Sequence, residues 1–511
     1  MSQINVNNLT FYYDGSADYV FENVSFSIDT NWKLGLIGRN GKGKTTFLKL
    51  LMKKYAYQGS IDTTTVFDYF PYEVTATQML KTAVDLLEEL KAGCETWRVI
   101  CELAELGEDA GILYRPFCTL SPGERTKVLL AVLFSGENDF LLVDEPTNHL
   151  DQEAREIVKL YLASKKGFIL VSHDRDLLDA CTDHCLVLNR KSISVQNGNF
   201  SCWWENKQRK DQFTIAENEK HLKEIGKLKK AATRTSEWAR QNESTKIGFD
   251  PVKEHDRFIG TRSFIGAKTK KMQSRVKQME KRISIEIQEK EGLLQDLEIP
   301  VDLKLIQISH HKNTFVNVKD YSLRYADATD SVFNHLTFEV KKGERIALTG
   351  KNGCGKSTLI QMILQKCGRD DIHMNCLEEG LCEVASGLVL SYVGQETTGL
   401  TGTIKEFCRQ RGIEHSLFCA ILRQLDFNRE QFLKNLEEYS EGQKKKVLLA
   451  ASLLTPAHLY IWDEPLNYID IFSRMQIEKL LLEYKPTMLF VEHDVRFREK
   501  IATKIVQLSK V

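Results

Sequence analysis

Two glycine-rich segments of this 511-residue chain each end in a lysine followed by a hydroxyl residue. They read Gly38-Arg-Asn-Gly-Lys-Gly-Lys-Thr45 and Gly350-Lys-Asn-Gly-Cys-Gly-Lys-Ser357, each between an apolar run and a helix-forming run. Glycines let backbone N–H groups point at a phosphate, and the following helix adds its positive N-terminal end. The pattern therefore predicts two nucleotide phosphate sites, with Lys44 and Lys356 on the β- and γ-phosphates and Thr45 and Ser357 on Mg²⁺.

The predicted ATP-binding residues include each whole loop and the first residue of the helix behind it. They are Gly38, Arg39, Asn40, Gly41, Lys42, Gly43, Lys44, Thr45 and Thr46, and Gly350, Lys351, Asn352, Gly353, Cys354, Gly355, Lys356, Ser357 and Thr358.

A pair of carboxylates follows a later apolar run in each half, as Asp144-Glu145 and Asp463-Glu464. The ligands of open parallel sheets collect at the C-terminal ends of the strands, so Asp144 and Asp463 are predicted Mg²⁺ anchors. Glu145 and Glu464 are predicted to polarise the attacking water, because phosphoryl transfer depends mainly on positioning and charge stabilisation. Capping of the next segment by these carboxylates stays open as an alternative.

A histidine follows the next apolar run of each half, in Val-Ser-His173-Asp and Val-Glu-His493-Asp. A single histidine is more often structural than catalytic. The two halves place it at nearly the same distance after the glutamate, which favours a contact of His173 and His493 with the γ-phosphate.

The elements that position these groups occur twice, because the chain is similar to itself at an offset of a little over 300 residues. The distance from Ser121 to Asp144 equals that from Ser440 to Asp463. Apolar runs at 34–37, 140–143, 168–171, 459–462 and 488–491 predict buried strands, each followed by a turn or a helix. The prediction is two tandem α/β domains, each with a mostly parallel central sheet.

Length and composition agree with two domains of about 200 residues and an additional element. Hydrophobic residues make up 42% and charged residues 27% of the chain, and no apolar run approaches the ~18 residues of a membrane span. The N-terminal residues lack the basic start and apolar core of a signal peptide, so we expect a cytoplasmic protein. The 12 cysteines form no CxxC pair, which predicts free thiols rather than a metal or iron–sulfur site.

The segments Leu120-Ser-Pro-Gly-Glu124 and Tyr439-Ser-Glu-Gly-Gln443 resemble the signature of the ATP-binding-cassette superfamily of P-loop NTPases. The resemblance implies a head-to-tail pair in which each Walker loop binds ATP against the signature of the other half. Ser121, Gly123, Ser440 and Gly442 would contact these nucleotides. The two ATP sites would then form within one chain, which predicts a monomer.

Tyr13 and Tyr325 match the aromatic residue that stacks on adenine in this superfamily, and a core aromatic stays open as the alternative. Gln395 in Ser-Tyr-Val-Gly-Gln-Glu matches the glutamine that touches Mg²⁺, whereas the first half reads Tyr-Phe-Pro-Tyr72-Glu. The first site is therefore expected to couple to the other cassette differently from the second site. Both sites are predicted to hydrolyse ATP.

Between the two halves lies a polar helix-forming stretch to about residue 241, and a second follows from about 267 to 297. Met272, Val276, Met279, Ile283 and Ile287 of the second form one apolar stripe, and Ile215, Leu222 and Ile225 offer a sparser partner stripe. An antiparallel helical hairpin fits both. The predicted domains are 1–205 and 301–511, joined by this linker at 206–300.

The predicted loop of the hairpin, 246–264, mixes aromatic with basic side chains, a composition suited to RNA phosphates and bases. The candidate contact residues are Lys246, Phe249, Arg257, Phe258, Arg262 and Phe264, with Phe258 as the predicted tip. The alternative is a solvated charged coiled coil whose loop aromatics pack on their own helices.

Tandem cassettes without a membrane domain, and the run Asp144-Glu-Pro-Thr-Asn-His-Leu-Asp151, resemble the ABC-F subfamily. The first half carries no inserted arm and the chain ends soon after His493, which looks like the antibiotic-resistance Lsa and Vga types. The resemblance implies a protein that binds the bacterial 70S ribosome at the E site and pushes its linker toward the P-site tRNA and 23S rRNA. It would displace lincosamides, pleuromutilins and streptogramin A, and ATP hydrolysis would release it.

Two alternatives stay open. One is a housekeeping ABC-F translation factor that acts on stalled ribosomes. The other is an ATP-dependent nucleic-acid or assembly protein that acts away from ribosomes.

Overall fold

A computed structural model provides the coordinates of the chain. It describes residues 3–13, 19–39, 41, 43–91, 93–136, 139–148, 150–189, 193–244, 274, 276–279, 281–286, 305, 308–326, 330–369, 374–425, 427, 429 and 431–509. Asn40, Lys42 and the predicted linker loop 246–264, with all six of its candidate contact residues, lie outside this set.

The first half is built on a six-stranded sheet of order β5-β6-β7-β3-β8-β9, in which only the β8–β9 pair is antiparallel. Its strands are β3 (Lys33–Ile37), β5 (Val66–Phe70), β6 (Asp139–Asp144), β7 (Phe168–Val171), β8 (His184–Leu188) and β9 (Ile193–Asn197). The central strands read as unbroken apolar runs because helices cover both faces of a parallel sheet. All four residues of β7 are buried, as that reasoning requires.

An antiparallel sheet of order β2-β1-β4 packs beside the parallel one. It contains β1 (Gln3–Phe11), β2 (Phe21–Asp29) and β4 (Gln58–Asp62). Phe47 of the first helix and Leu142 of β6 belong to the same buried core as Ile4 of β1, so one core joins the two sheets.

The described residues of the first half form six α-helices beside these sheets, and two of them follow segments predicted to bind ATP. They are α1 (Lys44–Leu51), α2 (Ala83–Leu90), α3 (Thr96–Glu105), α4 (Pro122–Phe134), α5 (Gln152–Ser164) and α6 (Arg175–Cys181). Ser121 begins α4 with a capping box, because its side chain accepts from Glu124 N while the Glu124 side chain accepts from Ser121 N.

The second half repeats this plan with a parallel sheet of order β14-β15-β16-β12-β17 and an antiparallel sheet of order β11-β10-β13. Its strands are β10 (Thr314–Tyr325), β11 (Ser331–Lys341), β12 (Arg345–Thr349), β13 (Cys376–Val384), β14 (Leu390–Val393), β15 (Leu459–Asp463), β16 (Met488–Val491) and β17 (Lys504–Gln507). Its helices are α8 (Lys356–Lys366), α9 (Ile404–Arg411), α10 (His415–Gln424), α11 (Glu441–Leu454), α12 (Ile471–Tyr484) and α13 (Val495–Ile501).

The chain divides into two compact units, one of residues 1–203 with 301–511 and the other of residues 204–300. Helix α7 (Phe200–Ser244) begins in the first unit, and residues 276–279 and 281–286 of the second unit are also helical. The predicted apolar stripes are buried only in part. Ile225 and Ile283 are buried, whereas Leu222 and Met279 are more than half exposed.

None of the helices within the described ranges is long and apolar enough to cross a membrane.

Candidate nucleotide sites

The two predicted phosphate loops have the same backbone conformation at the glycine that precedes the helix. Gly43 and Gly355 have φ angles of 90° and 91°, and a Cβ atom there would lie 2.6 Å from Val20 and 2.3 Å from Val332. Only glycine fits such a left-handed, crowded position. The loops therefore depend on these glycines for their shape.

Each loop lysine folds back over its own loop. Lys44 Nζ donates to Gly38 O and Lys356 Nζ donates to Gly350 O, both at 2.7 Å. Burial lowers the pKa of Lys44, and the charges of Asp470, Glu145 and Asp144 oppose that shift. The lysines are thus held at the centres of the loops, where the phosphate groups are predicted.

The first predicted Mg²⁺ position combines a hydroxyl with a carboxylate. Thr45 Oγ1 donates to Asp144 Oδ2 at 2.9 Å across the gap between α1 and β6. Burial raises the pKa of Asp144, and hydrogen bonds from Thr45 and Tyr69 oppose the shift. Oxygen donors of these two types are the ligands that Mg²⁺ prefers, so the residues present fit the ion.

A further residue at the first site, Tyr69, was missed by the sequence reasoning. Its hydroxyl donates to Asp144 Oδ2 at 3.2 Å. Tyr72, which occupies the position of Gln395 when the two halves are aligned, donates instead to Asp68 at 2.6 Å. The signal that could have found it is the position of Tyr69 on β5, the parallel neighbour of β6.

Gln395 of the second site joins three predicted functional groups through one amide. Its Nε2 lies 3.1 Å from Ser357 Oγ, 3.2 Å from Asp463 Oδ1 and 3.1 Å from Glu464 Oε1. The second Mg²⁺ position therefore has an amide where the first has a tyrosine hydroxyl, which is one chemical difference between the two sites.

Each predicted catalytic glutamate is held in a left-handed backbone conformation beside its histidine. Glu145 and Glu464 have φ angles of 52° and 48°, and their N–H groups donate to Val171 O and Val491 O at 2.9 and 3.0 Å. Such a conformation is strained for a residue with a side chain and is typical of functional sites.

The distances within the two glutamate–histidine pairs are nearly equal. His173 Nε2 lies 3.4 Å from Glu145 Oε1, and His493 Nε2 lies 3.3 Å from Glu464 Oε1. Adjacent parallel strands end at these residues, since β6 pairs with β7 and β15 with β16. The fold therefore brings together groups that lie far apart in the sequence.

The surroundings of the two glutamates shift the pKa values of their carboxyl groups in opposite directions. Burial and the neighbouring Asp144 charge raise the pKa of Glu145 to about 8, although Lys44 and Arg474 oppose the shift. Burial also acts to raise the pKa of Glu464, but the contacts with His493, together with Asn467 and Lys356, outweigh it and the pKa is lowered. Burial places the pKa of His173 well below its ordinary value.

A cavity of about 430 Å³ lies between the first Walker loop and the second signature. The first half contributes Gly41, Glu145, Asn148 and His173, and the second half contributes Ser440, Gly442, Tyr468 and neighbouring residues. These contacts are the head-to-tail arrangement that the resemblance implies. Gly38, Lys44, Thr45 and Thr46 belong to the same loop and helix, but they do not line this cavity.

A second cavity, of about 590 Å³, is lined by Tyr325, Asn352, Gly353, Gly355, Lys356, Ser357, Thr358, Gln395, Glu464 and His493. Leu150 and Arg155 are the lining residues from the first half. Among the described residues, Ser121 and Gly123 of the first signature are not part of the lining. The first half therefore lines this cavity through Leu150 and Arg155 rather than through these two signature residues.

Three other loop residues, Arg39, Lys351 and Cys354, have structural contacts. Arg39 lies over the ring of Phe472, 5.9 Å from its centroid, and Lys351 forms an exposed ion pair with Glu153 at 2.6 Å, so both reach the opposite half. Cys354 is 1% exposed and packs in the core of the second half.

Tyr13 and Tyr325 have equivalent surroundings. Their hydroxyls lie 2.6 Å from Thr46 Oγ1 and 2.9 Å from Thr358 Oγ1, at the starts of α1 and α8. Their exposed fractions of 43% and 41% favour adenine stacking over the alternative of a core aromatic.

A family model described as ABC transporter matches residues 21–148 and 333–467, one copy in each half. The chain belongs to this ABC transporter family. Membership means that the two cassettes are ATP-hydrolysing domains, and domains of this family bind ATP together with Mg²⁺.

Curated relatives place the chain within the ABC-F group. The ribosome protection protein VmlR of Bacillus subtilis is 28% identical over 97% of this chain and 85% of its own length. The erythromycin resistance ATP-binding protein MsrA of Staphylococcus epidermidis is 26% identical over 93% of this chain and 92% of its own. The ABC transporter F family member 2 of Arabidopsis thaliana is 24% identical over 99% and 76%.

The tandem cassette fold also occurs in solved structures. An archaeal ribosome recycling factor, in complex with the ribosomal stalk protein aP1, has a TM-score of 0.60 and 18% identity, and the match covers 98% of this chain and 87% of that one. A structure titled RNase-L Inhibitor has a TM-score of 0.59 at the same identity. These matches confirm the predicted fold of two tandem cassettes.

Proposed function

We propose that this ABC-F ATPase binds the bacterial 70S ribosome and protects its peptidyl-transferase centre from lincosamides, pleuromutilins and streptogramin A. The observation that supports the proposal is the match over 97% of the chain to a ribosome protection protein, together with the match to an erythromycin resistance protein over 93%. Both relatives therefore correspond to the whole tandem arrangement rather than to a single cassette.

ATP binding is proposed to hold the two halves together, because each nucleotide cavity takes residues from both. Lys44 and Lys356 would balance phosphate charge, and Tyr13 and Tyr325 would stack on adenine. Mg²⁺, held near Thr45 with Asp144 and near Ser357 with Gln395 and Asp463, would neutralise charge on the β- and γ-phosphates.

Hydrolysis is proposed to depend on the two glutamate–histidine pairs. Glu145 and Glu464 would accept a proton from the attacking water, while His173 and His493 would hold the γ-phosphate in place. Loss of the γ-phosphate removes a shared ligand from between the halves. Release from the ribosome would follow.

The linker at 206–300 is proposed to enter from the E site and reach toward the P-site tRNA and 23S rRNA. Its loop at 246–264 would contact RNA through Lys246, Arg257 and Arg262 and through Phe249, Phe258 and Phe264, with Phe258 at the tip. Drug would leave because RNA and tRNA rearrange around this loop. The chain would act as a cytoplasmic monomer, with domains 1–205 and 301–511 on either side of the linker.

The test is co-sedimentation of the Glu145→Gln/Glu464→Gln double variant with 70S ribosomes, with and without ATP. We expect co-migration only with ATP, because the variant binds nucleotide but cannot activate water. Expression of the unmodified chain should then raise the inhibitory concentrations of the three drug classes. A variant that stays off ribosomes with ATP present would refute the ribosomal part of the proposal.

Ribosome binding without any change in drug susceptibility would instead identify a translation factor that acts on stalled ribosomes. The absence of ribosome binding would leave the non-ribosomal assembly role.

A further inference from the structure

The two halves place an arginine at the same position of the helix that follows β6 in the first half and β15 in the second. Arg155 and Arg474 stand four residues after Asp151 and Asp470, which begin α5 and α12 as N-caps. Equivalent residues in a duplicated fold can be compared directly, because the same backbone carries them. Their contacts differ.

Arg474 has a structural role within the second half, where it forms three hydrogen bonds. Its Nε donates to Ile469 O at 2.9 Å, its Nη2 to Leu466 O at 3.0 Å and its Nη1 to Asp494 Oδ2 at 3.2 Å. The side chain is 9% exposed, and all three nitrogens have protein acceptors. Arg474 therefore ties the loop before α12 to the start of α13.

Arg155 has two of these three kinds of contact, the second one long, and it lines the nucleotide cavity of the other half. Its Nε donates to Leu150 O at 3.0 Å, while its Nη1 lies 4.0 Å from Asp174 Oδ2, the outer limit of an ion pair. The residue lines the second cavity together with Lys356, Glu464 and His493. The bond from Nε to Leu150 O restrains the side chain beside this cavity.

We propose that Arg155 is a catalytic residue of the second nucleotide site, supplied by the first half. Its guanidinium contacts the terminal phosphate and stabilises the charge that develops there during phosphoryl transfer. A planar guanidinium matches phosphate oxygens in a bidentate manner and stays charged at every accessible pH. An arginine that reaches into a nucleotide site in this way accelerates phosphoryl transfer in other P-loop enzymes.

The reaction it assists is ordinary ATP hydrolysis. The water oxygen forms a bond to the γ-phosphorus, the bond from that phosphorus to the β–γ bridging oxygen breaks, and one water proton passes to Glu464. ADP and phosphate leave. Arg155 donates hydrogen bonds throughout and neither gains nor loses a proton.

The arrangement also makes the two sites unequal. At the first site the equivalent arginine, Arg474, has its three nitrogens bound to protein acceptors, and it acts on Glu145 only through its charge. We therefore expect the loss of Arg155 to affect one site only.

The experiment uses the full-length chain and separates binding of the ground state from binding of the transition state. Chains are incubated with 8-azido-ADP and aluminium fluoride, which mimics the transferring phosphoryl group. Free nucleotide is removed by filtration, the bound nucleotide is cross-linked by light, and the labelled peptides are identified. A parallel sample measures affinity for 8-azido-ATP without hydrolysis, in the presence of EDTA. Arg155→Ala, Arg155→Lys and Lys159→Ala are compared with the unmodified chain.

Lys159 is the matched control. It lies one turn further along α5 and pairs with Glu156 at 2.5 Å, but it does not line the cavity. Its replacement by alanine removes one positive charge, as Arg155→Ala does. Lys159→Ala should behave as the unmodified chain.

Arg155→Ala should lose about tenfold or more of the fluoride-trapped label on the second-half peptides, with first-half label and ATP affinity nearly unchanged. Arg155→Lys should recover part of the loss, because it restores the charge but not the bidentate geometry. Equal trapping by Arg155→Ala and the unmodified chain would overturn the proposal. So would a parallel loss of ATP affinity and trapping, or an unmodified chain that traps nothing at the second site.

Discussion

Asp470 has no solvent exposure, and its carboxylate is nevertheless held in the charged form. Lys446 Nζ lies 3.0 Å from its Oδ2, and Ser473 donates through its backbone N–H at 3.0 Å and its hydroxyl at 2.8 Å. Burial alone would raise the pKa of Asp470, but Lys446 and Ser473 outweigh it and the pKa lies below its ordinary value. A buried pair of this kind is sensitive to loss of either partner, because the remaining charge stays in an apolar interior.

The sign of the pH effect follows from that lowered pKa. The unfolded chain protonates Asp470 near its ordinary pKa of about 3.9, and the folded chain does so at lower pH. The stabilisation is therefore present above about pH 4 and is lost as the pH falls through the folded pKa. We expect Asp470→Asn to lower the free energy of unfolding at pH 7 by about 3–5 kcal/mol and to flatten its decline below pH 4.

Urea unfolding between pH 3 and 7 measures both effects. The control is Asp151→Asn at the equivalent N-cap of the first half, where the Asp151 carboxylate accepts from Ala154 N at 3.0 Å. Because asparagine caps a helix about as well as aspartate, this control should cost well under about 1 kcal/mol. An Asp470→Asn chain with the same acid slope as the unmodified protein would contradict the interpretation.

At the scale of elements, the two signature helices have the same start but different surroundings. Ser121 and Ser440 each begin a helix, α4 and α11, with a complete capping box. Ser440 also lines the first nucleotide cavity, whereas Ser121 does not line the second. The same local structure thus has one function in α4 and can have a second in α11.

We expect Ser121→Ala and Ser440→Ala to cost about the same in stability, roughly 1 kcal/mol, because each loses one cap. Only Ser440→Ala should also weaken ATP binding at the first site, since Ser440 lines that cavity. Isothermal titration with a slowly hydrolysed ATP analogue, paired with thermal melts, measures both quantities. Equal losses of affinity in the two variants would mean that the cavities are more alike than the structure indicates.

At the scale of the whole cassette pair, ion pairs between side chains join the two halves close to His173 and His493. Arg175 Nη1 donates to Glu478 Oε2 at 3.2 Å, and a second Arg175 nitrogen contacts the other carboxylate oxygen. Their side chains are 3% and 5% exposed. Arg496 adds contacts to Asp176 and, at 2.7 Å, to Asp179, so α6 of one half is bonded to α12 and α13 of the other.

Removal of one partner from this buried pair should be costly. Glu478→Ala leaves Arg175 uncompensated, and we expect a loss of about 3–5 kcal/mol in the free energy of unfolding of the cassette pair. Glu483→Ala is the control, because Glu483 is an exposed glutamate on the same helix. The exchange Arg175→Glu/Glu478→Arg should recover part of the stability. A double variant no more stable than Glu478→Ala would argue against a direct pair.

The sequence alone determined the duplicated α/β cassettes, because strands buried on both faces must be apolar runs and phosphate loops need their glycines. It also predicted roles for Lys44, Asp144, Glu145 and their counterparts, since adjacent parallel strands end at one sheet edge. Such local constraints are visible in residue types and spacing.

Only the tertiary structure placed Tyr69, rather than Tyr72, on Asp144, because strand register decides which side chain faces the carboxylate. It alone distinguished Arg155 from Arg474 and Ser440 from Ser121, pairs that occupy equivalent sequence positions. These differences arise where the two halves meet. The partner of each side chain at that interface lies hundreds of residues away, so spacing within one half carries no information about it.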